Sequence, residues 1–445
     1  MILRSIFQFY SSCLFTIIFS VSFVNSCFST SVAPPPDTSV HLMSSPFDGL
    51  WWSGFSNHFR ADKINTSTIV FSSGGAYLNG SNLPFDFSKK ILSSSFIDSV
   101  AKSNVGFSKH HINFVEAGYR YGAGICFKKK SHWLGLELSD ESISVIQYRK
   151  DLFNLMFYGN SQYEGDTAYL TGSGLNNQDF HRVRFIYSAI AGSDDSVWQI
   201  NISLSYLQGY HVNSLNAGRS YLYTAPLGEY LSLHSQMVFQ TNDTSSISAF
   251  ATNGNGVSAD LSISFVARKS KIFFSVNNAG FMHWNQNSLL YVVDTSVQFD
   301  GFEVNNFLHQ PGIKLGNLNS DSIFSYLGIN YSKCAFNLNL PLRLTFIWQH
   351  HIICDKLSVD AGFTFIPQYQ FSPLYFISGR LHSKCISPSI NISYGGNQAF
   401  NAGLSIEGRI ANHINWFLTS DQMLSWALPK KLNGADLMAS LYYQF

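Results

Sequence analysis

The amino-acid sequence predicts an all-β fold, a transmembrane antiparallel β-barrel of about fourteen strands with short helical or plug-like segments near its N-terminal part. Three observations predict this fold class. Segments of about ten residues alternate apolar and polar side chains, as a strand between two environments requires. Charged residues make up only 12% of the 445 positions and aromatic residues 16%. Tyr and Trp recur near the ends of the alternating segments, where membrane interfaces place them.

The composition excludes other classes of protein. A net charge of +1 provides no electrostatic footprint for nucleic acid, so no nucleic-acid partner is expected. Abundant aromatic and aliphatic residues exclude a disordered chain. Beyond the N-terminal stretch, no run approaches the ~18 apolar residues that a membrane-spanning helix needs.

Residues 1–26 are predicted to be a signal peptide, because Arg4 precedes a short apolar stretch at 14–24 and small residues follow. An uncleaved anchor helix is the alternative. Residues 24–27 also have the outline of a lipoprotein cleavage site, so either Cys27 is lipidated or cleavage is ordinary. In each case the chain is exported, and its expected location is the outer membrane.

The segment 27–105 is predicted to contain a linker and a plug or first strand, ahead of a barrel over 106–445. Residues 34–36 are three prolines, and 83–100 carry apolar residues at helical spacing. A second helical pattern covers 151–158, which is expected to plug the lumen or to lie at a rim.

Alternation places seven strands between Pro341 and the C-terminus. Upstream strands are predicted in 111–124, part of 134–148, 179–191, 197–209, part of 220–240, 258–268, 271–280 and 289–299. The aromatic residues assigned to the two girdles are Trp133, Trp198, Tyr206, Tyr210, Trp284, Tyr291, Trp348 and Trp416.

The topology follows from taking the C-terminal end as periplasmic. Short turns then fall at 353–356, 382–385 and 411–413, and longer loops at 367–373, 395–401 and 421–435. Short periplasmic turns and long external loops are the outer-membrane pattern. The last strand ends on an outward Phe445, which resembles the signature by which outer-membrane barrels are passed to the barrel-insertion machinery. The expected partners are therefore that machinery and outer-membrane lipid.

No catalytic, cofactor-binding or metal-binding residues are predicted, and the chain is not expected to be an enzyme. The nearest approach to a nucleophile elbow, 172–174, lacks the required spacing and suits a turn. The His110-His111 and His350-His351 pairs cannot chelate together, because adjacent strand residues point to opposite faces.

The cysteines and the Asn-x-Ser/Thr triplets predict no functional site either. Cys354 and Cys385 either form a disulfide or remain free thiols, and the sequence leaves both alternatives open. Cys126 and Cys334 are further cysteines of the exported chain. Asn201 and Asn391 form sequons inside predicted strands on the lumen face, where no glycan could attach.

Eight charged residues fall on the polar face of predicted strands. They are expected to face the lumen, either as salt-bridged filler, which is the favoured interpretation, or as a selectivity device: Glu116, Arg120, Arg182, Arg184, Asp360, Arg380, Glu407 and Arg409.

Several short stretches together resemble an uncharacterised outer-membrane β-barrel family of the Bacteroidota, known by a domain-of-unknown-function label. The matching stretches follow one another in the family's order at 151–160, 170–175, 206–209, 277–284, 297–302 and 428–433. The resemblance covers most of the chain from Gly106 onward. Such proteins are akin to fatty-acid-transporter-like barrels and to accessory barrels of the type IX secretion system, so the resemblance implies a barrel in a membrane and no established catalytic residues.

Two functions remain in competition. The first is a channel or transporter for small or hydrophobic molecules, which the resemblance and the plug-like segments favour. The alternative is a non-transporting structural or secretion-accessory barrel that binds a periplasmic or surface protein partner through aromatic-rich loops such as 421–435, which carries Trp426.

Overall fold

The computed structural model describes residues 68–80, 82–107, 112–193, 196–242, 251–267, 269–300, 331–353, 356–368, 373–383, 386–396, 398–410 and 413–445. The predicted signal peptide, Cys27, the His110-His111 pair, Cys354 and Cys385 lie outside the described residues.

Twenty strands and four α-helices make up the described chain. The strands are β1 Thr68–Gly80, β2 Ile112–Lys129, β3 His132–Arg149, β4 Asp166–Tyr169, β5 Gly174–Ser193, β6 Ser196–Ala217, β7 Tyr221–Thr224, β8 Leu231–Thr241, β9 Gly254–Ala267, β10 Ser270–Trp284, β11 Leu289–Phe299, β12 Tyr331–Lys333, β13 Phe336–Asn339, β14 Arg343–Ile353, β15 Leu357–Phe365, β16 Leu374–Leu381, β17 Ile386–Gly395, β18 Gln398–Ile410, β19 Ile414–Ser420 and β20 Ala435–Gln444. The helices are α1 Phe85–Leu92, α2 Ser99–Ser103, α3 Lys150–Tyr158 and α4 Met423–Ala427, with short 3₁₀ turns at Ser161–Tyr163 and Pro226–Gly228.

Fourteen of the strands form a closed antiparallel barrel, which confirms the predicted fold class. The ring runs β1-β2-β3-β5-β6-β9-β10-β14 and then through β15 to β20 in chain order. It closes where β20 pairs with β1, from Ile69 opposite Gln444 to Leu78 opposite Ala435. The barrel therefore begins at Thr68, inside the segment where a plug or first strand was predicted.

Six strands extend the sheet beyond the ring at the long-loop end. β4, β7, β8, β11 and β12 pair in that order, and β13 adds to the upper part of β10. The predicted strands within 220–240 and at 289–299 are thus not barrel strands. At the fork where β6 changes partner, Asn242 Oδ1 accepts from the Val212 N–H at 2.9 Å and the Asn253 amide donates to the Tyr210 carbonyl at 2.8 Å. These side chains replace the ladder bonds that the fork interrupts.

The barrel has a lipid-facing outer band and two unequal ends. Large apolar side chains such as Leu204, Ile390 and Phe185 are more than 60% exposed on the outer face. Short turns join the strands at one end, whereas the helices and the extension lie at the other. Closed strands with an apolar outer band are the architecture of outer-membrane proteins. The chain is an outer-membrane β-barrel. From the usual orientation of such barrels, we expect the end with the long loops to face the outside of the cell. None of its described helices has the length and hydropathy to cross a bilayer.

The predicted helical segments lie at the rim, against the outside of the barrel wall. Phe87 of α1, Ala101 of α2 and Phe153 of α3 share one apolar cluster with Tyr148, Val115 and Ile146. Val115 and Ile146 occupy outward positions of β2 and β3, because Glu116 and Val145 beside them are buried in the lumen. Within the predicted segment 83–100, residues 85–92 and 99–100 are helical and residues 93–98 connect the two helices, whereas residues 151–158 are helical throughout. Both segments pack on the wall rather than plug the lumen.

The barrel lumen

The lumen is the candidate functional site. Every second residue of each barrel strand points into it. On β6, Gln199, Asn201 and Ser203 are at most 8% exposed, whereas Leu204 between the inward positions is 62% exposed. The predicted lumen positions of Asn201 and Asn391 are confirmed, with Asn201 donating to Ser262 Oγ at 2.9 Å. Low exposure of polar inward residues means that their hydrogen bonds are made to one another rather than to bulk water.

A layer of ion pairs crosses the middle of the lumen wall on β2, β3, β5 and β9. Arg120 contacts Glu137, and its Nε lies 3.3 Å from Glu141 Oε1. The guanidinium of Arg182 lies 3.0 Å from Glu141 Oε2. Arg184 lies 2.8 Å from Glu137 Oε2 and 3.3 Å from Asp260 Oδ2. Each buried charge has an opposite partner, as burial requires.

An apolar layer lies above the ion pairs, towards the long loops. Its buried members come from both sides of the ring: Tyr77, Phe114, Ile143, Val145, Phe180, Leu207, Val212, Met282, Trp284, Leu340, Phe417 and Met438. A water-filled porin has a polar interior. This layer instead resembles a hydrophobic core, and its side chains span from β20 and β1 to β10.

One ion pair joins opposite walls of the barrel across the lumen. Arg343 on β14 places Nη2 3.1 Å from Glu116 Oε1 on β2, and Tyr77 donates to the same oxygen at 3.1 Å. These two strands lie far apart in the ring, because the shorter way round from β2 to β14 passes through β3, β5, β6, β9 and β10. Because one Arg and one Glu side chain bridge the gap, the two walls approach each other closely and narrow the lumen here.

A second apolar cluster lies near the turn end, and it corrects part of the girdle prediction. Ile69, Phe71, Cys126, Trp133, Ile186 and Tyr442 form this cluster. Trp133 and Trp284 were predicted in the girdles, but both point into the lumen and are at most 2% exposed. Trp198, Tyr206 and Trp348 do lie on the outer face, between 42% and 49% exposed. Tyr291 belongs to the extension and not to a barrel strand.

The structure places the predicted lumen charges on inward faces. Beyond the ion-pair layer, Arg380 lies 3.7 Å from Glu407, Asp360 accepts from Ser378 at 3.3 Å, and Arg409 follows Glu407 on the inward face of β18. The partners Glu137, Glu141, Asp260 and Arg343 were missed. Glu137 and Glu141 share the inward parity of β3, and this pattern could have identified them.

The histidines and cysteines of the described chain show no chelating group. His350 contacts Ser270 at 2.9 Å on the outer face, and His351 packs inward against His382 with ring centroids 5.5 Å apart. The opposite orientation of the adjacent histidines agrees with the prediction. Cys126 and Cys334 are free thiols. Among the residues that the structure describes, no three His, Cys, Asp or Glu side chains form a group suited to a metal ion.

Gly172 has a φ of 84°, which supports the turn predicted at 172–174.

Comparison with known proteins gives one family and several similar solved structures. The P. putida toluene transporter TodX superposes with a TM-score of 0.42 at 7% identity, covering 86% of this chain and 91% of that one. The Ralstonia pickettii toluene transporter TbuX gives 0.41 at 10% identity, covering 86% and 90%. A Pseudomonas aeruginosa FadL homologue gives 0.40 at 10%, covering 86% and 92%.

Among curated proteins, none matches this sequence. The model of a family of unknown function, DUF5723, matches residues 49–421.

Proposed function

We propose that this chain, which belongs to the family of unknown function DUF5723, is a gated outer-membrane transporter for small apolar molecules. The observation that carries the proposal is the apolar layer inside the lumen, built from residues such as Phe180, Leu207 and Trp284. An apolar solute gains from transfer out of water into such a layer, whereas a polar solute would lose its hydrogen bonds there.

The side-chain contact across the lumen favours a gated transporter over an open pore. The Arg343–Glu116 pair joins opposite walls, and the ion-pair layer lies beneath it. Cargo that reaches the apolar layer from outside must therefore separate side chains before it can pass. Separation of a buried pair is costly unless another partner replaces it, so passage is expected to be slow and dependent on cargo binding.

Binding of an apolar reporter tests the proposal. The full chain in nanodiscs is titrated with N-phenyl-1-naphthylamine, whose fluorescence rises in apolar surroundings, and empty nanodiscs provide the baseline. Saturable binding is expected, and Leu207→Ser should weaken it several-fold because the layer loses apolar surface. Leu204→Ser on the outer face of the same strand is the matched control and should bind as the wild type does. Fluorescence that never exceeds the empty-nanodisc baseline would refute the proposal.

A secretion-accessory role is the second candidate, and the sheet extension favours it. β8 and β11 pair along eleven positions outside the ring, from Leu289 opposite Thr241 to Phe299 opposite Leu231. Leu227, which is 88% exposed, lies in the loop before β8. Exposed apolar surface on an extramembrane sheet suits a protein partner. Deletion of 219–240 should then abolish cross-linking to that partner and leave reporter binding unchanged.

A further inference from the structure

The helices α1, α2 and α3, together with the loop that carries α4, form a helical cap at the outer rim. Phe85 stacks edge-on against Trp426, with centroids 5.2 Å apart, and the Asp86 N–H donates to the Pro429 carbonyl at 2.8 Å. The Lys102 ammonium donates to the Phe157 carbonyl at 2.9 Å. The first two contacts join α1 to the loop of α4, and the third joins α2 to α3. The apolar cluster described above, which α1, α2 and α3 share, makes one unit of all four and holds it against the outer wall of β2 and β3.

The cap carries more positive than negative charge. Its acidic side chains are engaged within the protein: Asp86 and Asp98 lie 3.5 Å and 2.7 Å from Lys90 Nζ, and Asp151 accepts from the Tyr163 hydroxyl. Lys89, Lys430 and Lys431 are exposed and form no salt bridge with a carboxylate of the described residues, although Lys430 lies near enough to Asp98 to help lower its pKa. The cap therefore presents a net positive surface.

The same cap exposes large apolar side chains. Phe96 is 86% exposed, Met156 68% and Val100 57%, although apolar residues of comparable size elsewhere in the cap are buried. Lysines combined with exposed apolar side chains are typical of segments that lie in a membrane interface, where the cations meet anionic headgroups and the apolar groups enter the acyl boundary.

The outer wall beneath the cap marks the level of the headgroups. Going up β3, the outward Leu138 is 57% exposed, and the next outward residue is Asp140. Asp140 lies 2.8 Å from His181 Nδ1, Asp179 lies 2.8 Å from His211 Nδ1, and the Tyr119 and Tyr210 hydroxyls are 3.1 Å apart. A polar cluster of this kind on an outward face ends the apolar band, so the cap sits beside the headgroups.

We propose that the helical cap binds anionic headgroups of outer-leaflet lipids through Lys89, Lys430 and Lys431 and inserts Phe96 and Val100 between neighbouring lipids. The cap then anchors the long-loop end of the barrel to the membrane surface from outside the wall. This proposal does not depend on transport, because none of these residues lines the lumen.

Hydrogen exchange of the full chain in nanodiscs tests the proposal. The probe is the amide exchange of residues 85–103 in phosphatidylcholine alone and in phosphatidylcholine with phosphatidylglycerol. We expect several-fold slower exchange in the anionic bilayer, and loss of this slowing in the triple variant Lys89→Ser, Lys430→Ser, Lys431→Ser. The double variant Lys129→Ser, Lys130→Ser, at the opposite end of the barrel, is the control and should keep the slowing.

Two results would overturn the lipid assignment. One is equal exchange in both bilayers, or slowing that survives the triple substitution. The other comes from intact cells that carry p-benzoylphenylalanine in place of Phe96: cross-linked adducts of lipid mass support the proposal, and adducts of protein mass assign the cap to a protein partner instead. Heat-modifiable migration of each variant on a gel confirms that its barrel has folded.

Discussion

Trp284 organises the packing of the upper apolar layer because two glycines lie against its ring. A Cβ at Gly209 would come within 2.6 Å of Trp284 Cη2, and one at Gly254 within 2.8 Å of Cε3. Trp284 itself is completely buried. The two glycines therefore allow an indole ring to lie flat on the inner wall where β6 and β9 meet, and any side chain there would displace it.

Gly209→Ala is expected to destabilise the barrel by about 1–3 kcal/mol, the usual cost of overpacking a closed interior. The temperature at which the heat-modifiable band converts to the unfolded form measures this loss. Gly379→Ala is the matched control, because a Cβ at Gly379 has no atom within 4 Å. Equal conversion temperatures for the two variants would contradict the proposed packing of Trp284.

Strand parity predicted which residues share a face, but it could not predict every residue's environment. Asn201, Asn391 and the lumen charges lie where alternation placed them. Trp133 and Trp284 lie inside the barrel rather than in the girdles where they were predicted. A tryptophan near a strand end suits either a membrane interface or an apolar layer inside the barrel, and composition alone does not distinguish the two.

At the scale of elements, α2 depends on one side chain for its start. Asp98 Oδ1 accepts from the Ala101 N–H at 2.7 Å, an N-cap that satisfies a helix donor. Asp98→Ala should speed amide exchange in residues 99–103 by roughly fivefold, since a short helix has few other hydrogen bonds. Ser103→Ala, at the last residue of the same helix, should have little effect. Unchanged exchange in Asp98→Ala would show that the wall contacts alone order α2.

The protonation of Asp98 gives a second test of the cap. The Lys90 ammonium, followed by the Ala101 N–H, holds the pKa of Asp98 below its ordinary value. Capping by the carboxylate is therefore complete at neutral pH and is lost as the pH falls through this lowered pKa. Carboxyl carbon NMR should show Asp98 titrating below an ordinary aspartate, and Lys90→Met should raise its pKa. Lys102→Met should leave the titration of Asp98 nearly unchanged; a normal titration in the wild type would argue against the ion pair.

Element identity was predictable where alternation is strong and uninterrupted. The seven strands after Pro341 were predicted in number and order, the helix at 151–158 was predicted in type, and the segment 83–100 is helical in part. β1 was harder to recognise because Gly74 and Ala76 occupy its outward positions and blur the apolar face. β8 and β11 alternate as barrel strands do, and only their hydrogen-bonding partners place them in the extension.

For the whole molecule, the defining feature is a barrel whose opposite walls are joined by side chains across the lumen. No sequence pattern predicts this contact, since Arg343 and Glu116 are 227 positions apart and adjacent in the fold only through the closure of the ring. The apolar layer follows the same geometry, with Phe417 and Met438 joining Trp284 in one cluster. Interior packing therefore resembles that of a globular core, although the shell around it faces lipid.

Removal of the pair that joins the walls should open the lumen. The double variant Glu116→Gln, Arg343→Met keeps side-chain volume and leaves no uncompensated buried charge, so the barrel should fold, whereas Glu116→Ala alone should cost about 3–5 kcal/mol because Arg343 loses its buried partner. In planar bilayers the double variant is expected to show conductance steps that the wild type lacks. Arg380→Gln, Glu407→Gln removes a pair between β16 and β18, which are near neighbours in the ring, and should stay closed. If both double variants give the same conductance, the Arg343–Glu116 contact is not what closes the lumen.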